Sequence, residues 1–224
     1  MLRYHSAMAT STVEQYLKTL LLLERRDELV PVPMKVLADA MSVTPGTVTS
    51  MAKHLAQQKL VTYIPRRGVE LSASGRELAL TILRRHRLLE SFLQRVLGYD
   101  WGEVHAEAEE LEHVVSEKFV DKVDELLGFP TADPHGDPIP RGGVIDSPQT
   151  RPVSELDTGR QAELAQVVDF DADFLALLQD HNIVPGASVR VTTRDPRTRT
   201  LTLDAGHGAL TISTDLAGMI RYRL

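Results

Sequence analysis

The chain has 224 residues, 42% of them apolar and 25% charged, no cysteine, and a formal net charge of −6. The missing cysteine excludes disulfides, thiolate zinc sites and a thiol nucleophile. The apolar run Leu20–Leu23 is far too short to cross a bilayer. Met1–Ser11 carries no signal-type hydrophobic region, so the expected location is the cytoplasm, with no membrane partner. Charge is unevenly spread, at +3 for residues 1–72, −5 for 73–130 and −4 for 131–224. A basic start followed by acidic segments suits a DNA-binding module joined to cation-attracting ones.

Ser11-Thr-Val-Glu14 reads as a capping box that opens a helix to about Arg26, with Val13, Tyr16, Leu17, Leu20 and Leu21 on its apolar face. Pro33 opens a second helix. Thr44-Pro45 starts a third, to about Gln58, burying Val48, Met51, Ala52 and Leu55. Leu60–Ser72 reads as two short strands around an Arg66-Arg67-Gly68 turn. Ser74-x-x-Glu77 is a second capping box before a long helix to about Val96. Asp100-x-x-Glu103 opens another helix towards Leu127, with a break near Ser116. Six of the twelve prolines fall between Pro130 and Pro152, the composition of a partly extended linker. Beyond it come a short helix at Asp173–His181 and alternating strands at 187–193, 198–204 and 209–213, the pattern of a small SH3-like barrel.

Three helices followed by a hairpin are the parts of a winged helix-turn-helix, whose third helix enters a major groove by its N-terminal end. The candidate DNA contacts are Thr44, Pro45, Gly46, Thr47, Thr49, Ser50 and Lys53, with Arg66 and Arg67 at the wing tip. They are mostly short and polar, suited to phosphates and thymine methyls, and no long Arg, Asn or Gln at the helix start can make a bidentate base contact. The wing arginines suit phosphates or a narrow minor groove. Each element also fits a capped helix and hairpin in a domain that contacts only protein.

The second constellation is His105, Glu109, Glu112 and His113. At about 100° per residue these positions share roughly a third of a helical turn. His86 and Glu90, four apart on the preceding helix, also share a face. Imidazoles and carboxylates without sulfur suit Mn(II) or Fe(II), while Zn(II) binds such sites as well or better in vitro. The plainer reading of this stretch is a solvated acidic helix face.

The order winged helix, His86-x-x-x-Glu90, His105-x-x-x-Glu109-x-x-Glu112-His113, Asp133-Pro-His135-Gly and terminal barrel resembles the diphtheria-toxin-repressor family over nearly the whole chain. That resemblance implies a mainly α fold with a small β part: a winged-helix DNA-binding domain (1–73), a helical dimerisation and metal-binding domain (74–140), a linker (141–155) and an SH3-like domain (156–224) similar to ferrous-iron-transport accessory domains. It also implies a homodimer that binds a palindromic operator when metal orders it, with repression of metal-homeostasis genes as the output. Under the resemblance Glu109, Glu112 and His113 match the primary metal ligands, and Glu109 in place of a Cys resembles the manganese-type members. His86, Glu90 and His105 match the ancillary site. His135, with Asp133 in place of another Cys, and the acidic Asp169, Asp171 and Asp173 fall where some members offer further ligands. The chain departs at Gln15, where the family has Met or Asp, and at Lys18, which leaves the primary site one anionic ligand short. Two other readings stay open: a winged-helix regulator answering to another ligand, and a di-metal carboxylate enzyme built on Glu110-x-x-His113, which lacks the second such element that chemistry needs.

Overall fold

The computed structural model describes residues 11–26, 29–168 and 171–224. They fall into two compact units, the described residues up to Arg85 with Pro140–Val144, and His86–Ile139 with Ile145–Leu224.

The first unit holds helices α1 (Ser11–Arg26), α2 (Met34–Ala40) and α3 (Pro45–Gln57), the hairpin strands β1 (Val61–Ile64) and β2 (Gly68–Leu71), and the start of α4 (Ala73–Leu97). The expected face of α1, including Tyr16, Leu17, Leu20 and Leu21, is buried. The Thr44 hydroxyl accepts from Thr47 N at 3.2 Å, and Pro45, whose missing N–H costs nothing there, is the first residue of α3. Strands β1 and β2 pair antiparallel from Val61↔Leu71 to Ile64↔Gly68 and leave Arg66 and Arg67 in the turn.

Ser74 does not cap α4. Ser72 Oγ accepts from Gly75 N at 3.0 Å, while Ser74 Oγ donates to Lys59 O at 3.0 Å. The helix starts early because Gly75 lies against the Leu60 carbonyl, only 1.9 Å from where a Cβ would stand. That contact fixes α4 against the end of the third helix.

Glu24 is buried near the end of α1, accepting from Leu71 N at 2.8 Å and pairing with Arg76 of α4. Arg76 is 44% exposed, so water screens that pair, and the backbone N–H of Leu71 is the group that needs the carboxylate. Glu24→Ala is expected to cost about 2 kcal/mol, read as a lower midpoint in thermal unfolding.

The second unit holds the rest of α4, α5 (Val104–Leu111), α6 (Glu117–Leu126) and a barrel. Leu89 and Leu93 of α4 pack on Val104 and Ala108 of α5, and Leu88 packs on Val120 and Val123 of α6. The expected single helix over 105–113 ends at Leu111, so Glu112 and His113 stand in the turn beyond it. The break is made by Ser116, which caps α6 by accepting from Phe119 N at 3.2 Å.

The barrel comprises β3 (Thr150–Pro152), β4 (Gln161–Val167), α7 (Ala172–Asp180), β5 (Ser188–Asp195), β6 (Thr200–Asp204), β7 (Ala209–Ser213), α8 (Thr214–Met219) and β8 (Ile220–Arg223). Its sheet runs β3-β8-β4-β5-β6-β7 with every pairing antiparallel. Alternate residues turn inward: Val189 and Val191, Leu201 and Leu203, Leu210 and Ile212. Strands β3, β4 and β8 and helix α8 were not expected from the sequence. The first strand falls within the stretch read as linker. Trp101, from the turn before α5, is buried among the barrel's core residues, so barrel and helical segment share packing.

Candidate metal centre and nucleic-acid interface

His86 lies one turn before Glu90 on α4, facing α5. Its Nε2 is 3.0 Å from Glu90 Oε1 and 3.1 Å from His105 Nδ1, and its Nδ1 is 2.7 Å from Glu112 Oε2. His105 Nδ1 reaches Glu90 Oε1 at 3.0 Å, and its Nε2 lies 3.8 Å from Glu109 Oε1. His113 Nε2 is 3.4 Å from Glu112 Oε1. Three donor groups, each with ligand atoms within 4.8 Å of one another, result: His86/His105/Glu109, Glu109/Glu112/His113 and Glu90/Asp133/His135. The two half-sites read from the sequence are therefore one connected set, with Glu109 in two groups and His86 touching members of all three.

The Pro-rich segment expected to be a loose linker is closed and buried where it carries Asp133 and His135. Asp133-Pro-His-Gly136 is a turn with Gly136 N donating to Asp133 O at 3.1 Å. Asp133 Oδ1 accepts from His135 N at 2.8 Å and Asp137 N at 3.0 Å. Asp133 N and Ile139 N complete the loop by donating to Asp137 O and Thr131 O. With its backbone groups paired, the loop can be buried despite its prolines. Arg87 of α4 holds it from one side, donating to Asp137 Oδ1 at 3.2 Å and to Pro138 O, with Nε 3.6 Å from Asp133 Oδ2. Strand β4 holds the other side: Val167 N donates to His135 O at 2.9 Å, and Gly136, at φ +86°, sits under Ala165 O.

These surroundings set the charge of the donors. Burial opposes ionisation of Glu90, but His86 and the hydrogen bonds from His105 and His86 outweigh it and hold the carboxyl well below the usual range. Burial, with Asp137 and Glu90 beside it, pushes Asp133 well above that range. Burial pushes the His135 imidazole down, towards the neutral form that binds metals. Its ring stacks on Trp101, centroids 5.5 Å apart. A buried set of carboxylates and imidazoles with no sulfur fits a divalent cation of the Mn(II), Fe(II) or Zn(II) kind, which would offset the carboxylate charge.

The remaining described candidates come from α7 with its cap and from α1. Asp173 is exposed in the first turn of α7 and belongs to none of the donor groups. Asp171 caps that helix by accepting from Phe174 N at 2.9 Å, and Asp169 lies outside the described residues. Asp171 as cap and Asp173 in the first turn both suit the positive end of that helix. Gln15 and Lys18 are on α1 in the first unit. Among the described residues Gln15 Oε1 is buried without a hydrogen-bond partner, and Lys18 is 2% exposed.

Arg87, Asp137 and Trp101 were not singled out by sequence reasoning. The first two stood in or beside motifs that were noticed, His86-x-x-x-Glu90 and Asp133-Pro-His135-Gly, and the signal available was a cation next to His86 and a second acid four residues after Asp133.

Of the candidate DNA contacts, Thr44, Pro45, Gly46, Thr47, Ser50, Lys53, Arg66 and Arg67 are exposed and Thr49 is half-buried. The Thr44 hydroxyl is committed to the cap and the Thr49 hydroxyl donates to Pro45 O at 2.6 Å. The Thr47 hydroxyl lies 2.9 Å from that of Thr44, so Ser50 and Lys53 are the more open contacts on the helix, with Arg66 and Arg67 those on the wing.

Three family descriptions match consecutive parts of the chain: the iron dependent repressor N-terminal DNA binding domain over 8–69, the iron dependent repressor metal binding and dimerisation domain over 72–141, and the FeoA domain over 151–224. The iron-dependent repressor IdeR of Mycobacterium leprae is 30% identical over 94% of this chain and 96% of its own length. IdeR of Mycobacterium tuberculosis H37Rv is 31% identical over the same shares. A manganese-dependent transcriptional repressor solved in complex with manganese matches with a TM-score of 0.83 at 34% identity, over 94% of this chain and 99% of that one. The manganese regulator SloR matches with a TM-score of 0.71 at 31% identity, over 94% and 97%. Among the described residues no helix is long and apolar enough to cross a membrane. A winged helix, a buried nitrogen and oxygen donor set and a terminal small barrel, matched along the chain by these relatives, place it in the iron-dependent (diphtheria-toxin) repressor family of metal-dependent DNA-binding transcriptional regulators, which are not enzymes.

Proposed function

We propose that this chain is a cytoplasmic homodimeric repressor that binds a palindromic operator when loaded with Mn(II), with Fe(II) as the second candidate. The observation that carries the reading is the sulfur-free set around Glu90, whose oxygen and nitrogen donors suit a hard to borderline ion. The likeness to manganese-dependent repressors supports it. His86, Glu90, His105, Asp133 and His135 would hold one ion, and Glu109, Glu112 and His113 would contribute to another. A bound divalent cation supplies the positive charge that lets these buried carboxylates stay ionised together.

The protein's own groups do the rest. His86 presents Nε2 towards Glu90 while its Nδ1 engages Glu112, so one imidazole orients carboxylates in both donor groups. Arg87 and the Asp133 turn hold His135 in place. On the DNA side, Thr47, Ser50 and Lys53 would meet the major groove, and Arg66 and Arg67 the phosphates beside it.

Calorimetric titration of the metal-free dimer with Mn(II), Fe(II) under anaerobic conditions and Zn(II) tests the metal reading. Uptake that is lost in a His86→Ala/His113→Ala variant is expected, and uptake unchanged by that variant refutes it. For the wing, Arg66→Ala/Arg67→Ala is expected to weaken DNA binding about equally on all sequences and to reduce the slope of log affinity against log salt by about two.

A further inference from the structure

We propose that Gln166, on the barrel strand β4, is a positioning residue for the candidate ligands Asp133 and His135, acting through Asp137, so that barrel docking and metal affinity are linked. The inference rests on the reading of Asp133 and His135 as metal ligands. It adds that strand β4 tunes the site through backbone and amide contacts.

The geometry begins with a bulge. Strand β4 pairs with β8 as Leu164↔Tyr222 and then Gln166↔Arg221, so Ala165 is the extra residue. A bulge re-aims neighbouring groups, and here three consecutive residues turn to the 133–137 loop. The Ala165 carbonyl lies against Gly136, Gln166 Nε2 donates to Asp137 Oδ1 at 2.8 Å, and Val167 N donates to His135 O at 2.9 Å.

Asp137 is where the two sides meet. Its Oδ1 accepts from Gln166 of the barrel and from Arg87 of α4, the residue next to His86. Its backbone N–H donates to Asp133 Oδ1 at 3.0 Å, which directs the other oxygen of Asp133 towards Arg87. Arg87 is thus shared between Asp137 and Asp133. Loss of the Gln166 bond leaves Asp137 to draw that guanidinium alone and frees the turn that aims Asp133 and His135. Groups that orient ligands in this way commonly change metal affinity by 10- to 100-fold when replaced. The linkage is reciprocal: if docking tightens metal binding by some factor, metal tightens docking by the same factor.

The test uses the full-length protein, with Mn(II) affinity read by calorimetry and exposure of the 142–149 segment read by limited proteolysis, each with and without Mn(II). Gln166→Glu keeps the shape and replaces the donor by a charge facing Asp137. It is expected to weaken Mn(II) binding about tenfold and to remove the metal-dependent protection of 142–149. Gln166→Glu combined with Asp137→Asn exchanges donor and acceptor, leaves an oxygen for Arg87, and is expected to recover both. A Gln166→Glu variant that melts earlier yet binds Mn(II) as the parent does overturns the proposal, as does a double variant no better than the single. Asp133→Ala and His135→Ala separate the two levels of the argument. If they too bind as the parent does, the ligand reading itself fails; if they lose affinity while Gln166→Glu does not, only the positioning role fails.

Discussion

Glu90→Gln is expected to weaken Mn(II) binding by about a hundredfold or more, equivalent to about 2.7 kcal/mol of binding free energy. The exchange keeps the side chain's size and removes its charge from the point where His86, His105, Asp133 and His135 converge. Glu90 is 2% exposed and accepts from two imidazoles, so its oxygen cannot be replaced by a neighbouring carboxylate without repacking α4 against α5. The loss should appear twice: in calorimetric affinity, and in the rise of melting temperature that Mn(II) gives. A ligand that binds the folded state at free concentration c stabilises it by RT ln(1 + c/Kd), which falls as Kd rises. Glu110→Gln, exposed on α5 and in none of the donor groups, should change neither. Equal losses in both variants would mean that the acidic helix face attracts cations without forming a site.

Gly136→Ala is expected to destabilise the second unit by about 3 kcal/mol or more. Two effects add. The residue sits at φ +86°, where an L side chain is strained by about 1 kcal/mol, and a Cβ would stand 1.9 Å from Ala165 O, which belongs to the β4 backbone and cannot swing aside. Gly159 has the same φ of +86° and nothing within 4 Å of its Cβ position. Gly159→Ala therefore carries the strain alone, about 1 kcal/mol. The difference between the two melting curves measures the close approach of the loop to the barrel. Similar curves would mean that the loop stands off β4 in solution. A loop displaced by Gly136→Ala also carries Asp133 and His135 away, so Mn(II) affinity should fall with stability.

Much of the fold was legible because its local signals agree with its packing. Thr44-Pro45, the face of α1 and the Arg66-Arg67-Gly68 turn each combine a backbone preference with a burial pattern of matching period. The four missed barrel elements leave weak local signals: β3, β8 and α8 are short, and β4 carries a bulge that interrupts its alternation. The start of α4 was misread because Glu77 makes Ser74 look like the start of a capping box, whereas Ser72 caps the helix where Gly75 approaches Leu60. In the site, the i, i+4 pairs His86/Glu90 and His105/Glu109 were readable from helical geometry. Asp133 and His135 became ligand candidates only through the family resemblance, because proline-rich composition by itself points to an extended linker, and their convergence on Glu90 was not expected. What closes that segment is a set of long-range contacts, Arg87 from one side and β4 from the other, which leave no periodic trace. Asp173, a ligand candidate only under the resemblance, stands exposed in the first turn of its helix, while its neighbour Asp171 serves as the cap.

The central claim is that metal held by this donor set governs DNA binding. It is tested most directly by an electrophoretic mobility shift with the full-length protein and a palindromic operator selected in vitro, run with Mn(II), Fe(II), Zn(II) or a chelator, beside Glu90→Gln. Tight binding by the parent with Mn(II), loss of the shift under chelation, and failure of Glu90→Gln to respond at the same Mn(II) concentration are the predicted result. Equal operator affinity for the metal-free and Mn(II)-loaded parent would contradict it.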